Sequence, residues 1–66
     1  IMKELYFLIE ERGYNIEYAI AIEHDVQLLE KRAEECMEDN NLVNGNGDHY
    51  CYRIEDYDSN IIRRFN

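Results

Sequence analysis

The hydrophobic and polar positions of this chain divide it into short segments of distinct period. Leu5-Tyr6-Phe7-Leu8-Ile9 is an unbroken apolar run between Lys3-Glu4 and Glu10-Glu11. A run of that length suits a strand buried on both faces. Arg12-Gly13-Tyr14-Asn15 carries the Gly and Asn of a turn. From Ile16 the chain alternates strictly: Ile16, Tyr18, Ile20 and Ile22 on one side, Glu17, Ala19, Ala21 and Glu23 on the other. That is the period of a half-buried strand, and the two segments together predict a hairpin with strands over about 4–11 and 16–23.

Asp25 then offers a carboxylate to the first free amides of a helix. Val26, Leu29, Ala33, Cys36 and Met37 follow one helical face, Leu28 widens the stripe, and the helix is expected to run over about 26–39 and to end at Asn40-Asn41. Two Asn-Gly dipeptides in 44–47 mark a loop. Alternation resumes through Tyr50, Cys51, Tyr52 and Ile54 and predicts a third strand over about 49–57. Asp58-Ser59-Asn60 is a further turn cluster, and 61–65 reads either as a fourth strand or as a docking tail.

The expected fold is a single α+β domain over 2–66, ββαβ with a possible fourth edge strand, in which one helix covers one face of an antiparallel sheet. Met2 is expected to be the natural start, leaving Ile1 outside the domain. The first strand, apolar on both faces, belongs in the middle and sets the order 2-1-3. The uncovered face is expected to carry Tyr6, Leu8, Ala19 and Ala21, or their neighbours if the register slips by one. Such a face is too apolar for water, so a second copy of the chain is expected against it.

Size sharpens that expectation. Sixty-six residues bury a marginal core, and oligomerisation often supplements one this small. Cys36 and Cys51 have no CxxC spacing and read as buried free thiols in a reducing, intracellular setting. The opening residues lack the basic and apolar segments of a secretory leader, which points to a cytoplasmic location.

Charge separates the function classes. The net charge of −8 excludes nucleic-acid binding through bulk positive charge. Met2 to Asp39 holds 11 acids against 4 bases, whereas the remainder holds 4 against 3. Glu30, Glu34 and Glu38 share a helix row beside Glu35 and Asp39. Like charges at i, i+4 cost a few tenths of a kcal/mol per pair, so stability alone does not explain them. They form either a solubilising face or an anionic stripe that docks on a basic groove. Tyr14, Tyr50 and Tyr57, near turns or strand ends, are candidates for the same partner, because tyrosine buries large area and keeps a polar tip.

No catalytic or cofactor signature accompanies these features. Asn44, Asn46, Asp48 and Glu55 match four positions of a calcium loop, but His49 stands where that loop needs glycine. Asp56, Asp58 and Asn60 repeat only its opening spacing. His24, Cys36, His49 and Cys51 lack paired zinc spacing. Ser59 has no glycine-flanked elbow, so no metal, cofactor or enzymatic activity is expected.

In size, acidity, Tyr, Ile and Asn richness, and strand–strand–helix–strand layout over Met2 to Tyr57, the chain resembles the small acidic inhibitors that bacteriophages encode against host functions, including anti-CRISPR and other anti-defence proteins. The resemblance implies a viral protein acting in the host cytoplasm by steric blockade or DNA mimicry. It carries over no catalytic residue and no target. The expected partner is a host protein with a basic nucleic-acid groove, contacted through Glu30, Glu34, Glu35, Glu38, Asp39, Tyr14 and Tyr57. The alternative is an oligomer that sequesters a small anionic ligand such as a signalling nucleotide, for which Arg12, Arg53, Arg63 and Arg64 are the candidates.

Overall fold

A computed structural model describes residues 3–13, 15–43 and 50–65. Strands β1 (Tyr6–Arg12), β2 (Glu17–Glu23), β3 (Tyr50–Asp56) and β4 (Ile61–Phe65) form one sheet of order β2-β1-β3-β4, every pair antiparallel. Helix α1 (Val26–Val43) packs on one face. The α+β fold and the central place of β1 are as expected, and 61–65 is a strand of the sheet rather than a docking tail.

Local chemistry explains the connections. The β1–β2 turn closes through Arg12 N–H to Ile16 O at 2.8 Å and Ile16 N–H to Gly13 O at 3.1 Å. Gly13 and Asn15 both take positive φ there, 36° and 64°, the region these residue types tolerate best. Asp25 caps α1 by accepting from Gln27 N–H at 2.9 Å. Asp56 organises the β3–β4 turn: its Oδ1 accepts from the amides of Asp58 and Asn60, each at 2.9 Å, and its Oδ2 from the Asn60 side chain at 3.0 Å. This Asx arrangement accounts for the Asp56-Asp58-Asn60 spacing without a metal.

The helix runs four residues past its expected end at Asp39. Asn40 and Asn41 are mediocre helix formers but not breakers, and α1 extends through them to Val43.

The core lies between α1 and the sheet. Leu8, Tyr52 and Ile54 from the inner strands, Leu29 and Ala33 from the helix, and Phe65 from β4 are buried. Val26, Cys36 and Met37 pack against them as the helical stripe predicts. Each fully buried large side chain contributes roughly 1.5–3 kcal/mol relative to exposure. Leu28 does not widen the stripe; it is 52% exposed.

Two bulges alter which side chains share a face. Leu8 pairs with Ala21 but Ile9 with Ala19, so Ile20 is an extra residue in β2. Ile54 pairs with Arg63 but Glu55 with Ile61, so Ile62 is the extra residue of β4. Past its bulge the phase of β2 inverts. Tyr18 aligns with Glu10 on the helix side, whereas Ile22 aligns with Phe7 on the opposite side. The expected common face of Ile16, Tyr18, Ile20 and Ile22 is therefore corrected. So is the uncovered face: Leu8 is in the core and Tyr6 and Ala21 pack against it. The uncovered face instead carries Phe7, Ile9, Ala19 and Ile22, the one-residue slip in β1 with Ala19 retained.

Candidate functional site

Three surfaces collect charged side chains of the described residues: the helix side of the sheet, the opposite sheet face and the solvent side of α1. On the helix side of the sheet, Glu10 of β1 is buried at 6% exposure. Its Oε2 accepts from the Tyr52 hydroxyl at 2.9 Å and its Oε1 from Arg12 Nε at 2.5 Å. Arg12 also lies over the Tyr18 ring at 5.2 Å. Both carboxylate oxygens are satisfied, which allows this charge to sit beside the core. The Cys36 thiol of α1 is held above its ordinary pKa chiefly by burial, so it is a poor nucleophile at neutral pH.

The opposite sheet face carries an ion-pair lattice around Arg53, whose side chain is only 11% exposed. Its guanidinium meets Glu55 at 2.5 Å, Glu17 at 2.9 Å and Glu11 at 3.3 Å. Arg64 of β4 reaches the other oxygen of Glu11 at 3.6 Å. The lattice thus joins all four strands. Hydrogen bonding from Arg53 holds the Glu17 carboxyl below the usual range, and the carboxylates raise Arg53 in return.

The third surface is the solvent side of α1. Glu30 pairs with Arg63 of β4, whose guanidinium also lies over the Phe65 ring at 4.5 Å. That pairing removes Glu30 from the expected stripe and ties β4 to the chain's own helix. Glu34, Glu35, Glu38 and Asp39 are exposed, and no ion pair joins them to another described residue. The first turn of α1 contains no acid and the last no base. Within those turns no side chain complements the helix dipole.

The remaining candidates are scattered. Tyr57 is 74% exposed in the β3–β4 turn. It borders a surface depression of about 460 Å³ lined also by Lys3, Glu4, Leu5, Asp56 and Asp58. Glu4 there accepts from the Tyr6 hydroxyl, which raises the Tyr6 pKa. Tyr14 and the loop residues Asn44, Asn46, Asp48 and His49 lie outside the described residues. Among the described residues, no group of three or more His, Cys, Asp or Glu converges as a metal site. His24 Nδ1 instead lies 2.8 Å from the Glu4 carbonyl.

Arg12, Arg53, Arg63 and Arg64, the candidates for an anionic ligand, are each paired with carboxylates of the same chain. They occupy both sheet faces rather than one pocket. Sequence reading missed Glu10, Glu11, Glu17 and Glu55, the partners of Arg12, Arg53 and Arg64. Their strand alternation was visible, but which arginine each meets depends on cross-strand register.

No helix among the described residues is long and apolar enough to cross a membrane. Compared with known proteins, the chain matches no family model, and no curated protein or solved structure is significantly similar to it.

Proposed function

We propose that this chain is a small acidic protein-binding module with no chemistry of its own, an inhibitor that docks the anionic half of α1 on the basic groove of a nucleic-acid-handling protein. One observation carries the reading. The arginines of the sheet and its flanks are neutralised within the chain, while Glu34, Glu35, Glu38 and Asp39 are exposed without such pairing to any other described residue. Four such carboxylates thereby lie together on one rigid element, α1, beside its own Lys31 and Arg32. Successive carboxylates at i, i+4 rise by about 6 Å along a helix, close to two nucleotide steps of about 3.4 Å on one strand of a duplex. A groove shaped for phosphates therefore meets charges at a comparable interval. In this reading the setting is the cytoplasm of a bacterial host, as for the phage inhibitors the chain resembles.

The test is a nuclease-treated pull-down of tagged chain, followed by competition with duplex DNA for the captured partner. Displacement by DNA, and loss of binding in the triple variant Glu34→Lys, Glu35→Lys, Glu38→Lys with unchanged circular dichroism, are expected. Undiminished binding by the folded triple variant overturns the acidic-face reading.

A further inference from the structure

The sheet face opposite α1 combines two features that an ordinary solvated face does not need. Phe7 and Ile9 of β1 lie beside Ala19 and Ile22 of β2 on that face, and Ile22 is 56% exposed. Next to this apolar half, Arg53 is nearly enclosed by Glu11, Glu17 and Glu55. With Arg64 added, three carboxylates and two guanidiniums meet there, a net of −1 on a chain of −8. Charges already paired can be covered without leaving an uncompensated ion, whereas unpaired ones cannot. The face is electrically quiet where the helix face is not.

We infer that a second copy of this chain covers the open sheet face, Phe7, Ile9, Ala19 and Ile22 of one protomer packing on the same patch of its partner. Charge decides the occupant. A basic partner is drawn to α1, and another copy, itself at −8, approaches only where its own field and its partner's are cancelled. Core size points the same way. A fold whose described residues bury six apolar side chains gains most from a partner that is present whenever the chain is, which is another copy. Three strands of seven residues and one of five, about 4.8 Å apart with about 3.3 Å per residue, give a face of about 410 Å² in projection. Contact over that area on both protomers covers about 820 Å² in total, the size of a weak, transient interface, so the dimer dissociates on dilution into the micromolar range. The two helices then point outward on opposite sides, and each dimer presents two acidic faces.

The experiment is sedimentation equilibrium on the whole chain from about 1 to 200 µM, a range spanning micromolar dissociation constants. A mass rising from 8.0 kDa towards twice that value is expected. The substitutions Ala19→Lys and Ile22→Lys fall on exposed positions and leave the core untouched. Each is expected to hold the chain at the monomer mass with its circular dichroism retained. Ile62→Lys, at the bulge of the β4 edge, is expected to leave the dimer intact. A wild-type chain that stays monomeric at about 200 µM overturns the inference. So does a dimer that survives both β2 substitutions, and one that Ile62→Lys alone disrupts places the interface on the β4 edge instead. The acidic-face reading is tested separately, because its triple variant keeps the open sheet face.

Discussion

The Tyr52 hydroxyl of β3 donates to the Glu10 carboxylate of β1 at 2.9 Å, joining two buried residues 42 positions apart in the sequence. Their strands pair in register at this point, so the bond spans the sheet directly rather than reaching diagonally. With Arg12 on the other oxygen, each Glu10 carboxylate oxygen meets a hydrogen-bond donor beside Leu8 and Ile54.

Replacing Tyr52 by phenylalanine removes that donor while preserving the ring's packing. Loss of a hydrogen bond to a buried charged group costs about 1.5–3 kcal/mol, and the variant is expected to unfold at a correspondingly lower urea concentration. A Tyr52→Phe variant as stable as the parent would mean that the carboxylate is hydrated in the folded state.

Acidification should weaken the open-face lattice. Arg53 lowers the Glu17 carboxyl below its ordinary value of 4.5, so this stabilisation is complete above that value and lost as pH falls through the folded pKa. The Asp56 carboxyl, lowered from 3.8 mainly by the Asn60 side chain, acts in the same direction at slightly lower pH. Relief of the repulsion among the chain's excess acids opposes both. The difference between the parent chain and Glu17→Gln isolates the lattice: it is expected to be largest at neutral pH and to shrink below about pH 5. A difference that grows on acidification would reverse the assigned sign. The urea midpoint measured against pH decides between them.

Ser59 holds φ at 67° in the β3–β4 turn, a region that disfavours side chains other than Asn and Asp. Ser59→Gly is expected to be neutral or to stabilise by up to about 1 kcal/mol, because relief of strain competes with the greater freedom of the unfolded chain. Ser59→Val should destabilise by more than that, since a β-branched residue fits this region worse. Thermal melts of the pair provide the comparison. Equal losses from both would indicate that the serine hydroxyl matters more than the backbone.

The acidic half of α1 is arranged against stability. Glu38→Lys turns the like-charge pair of Glu34 and Glu38 into an attractive i, i+4 pair and places positive charge towards the negative end of the dipole. A gain of about 0.5 kcal/mol in unfolding free energy is expected even as partner binding falls. A loss of stability would mean that these carboxylates support the fold.

How much of this was legible in advance differs by element. The hairpin, the helix stripe of Val26, Leu29, Ala33, Cys36 and Met37, and the central position of β1 follow from periodicity, because burial imposes a repeat on any regular element. The turn at Asp56–Asn60 follows from residue type, because Asp and Asn carry the acceptors and donors that close it. The acidic helix face was equally visible, being local to one element.

What only the tertiary structure decided is long-range. The alternation of Ile16, Tyr18, Ile20 and Ile22 is unbroken in sequence, yet the bulge at Ile20 sends Tyr18 and Ile22 to opposite faces. A bulge is a mismatch between two strands, and neither strand alone records it. Glu10 reads as the charged flank of an apolar run and becomes buried because Tyr52 and Arg12 converge on it. Arg53 and Arg63 read as available cations until register and helix packing set them against Glu17 and Glu30. Sequence determined the elements and the sign of each surface, since both are local properties. Folding decided which charges are neutralised, because pairing depends on distances between residues far apart in the chain.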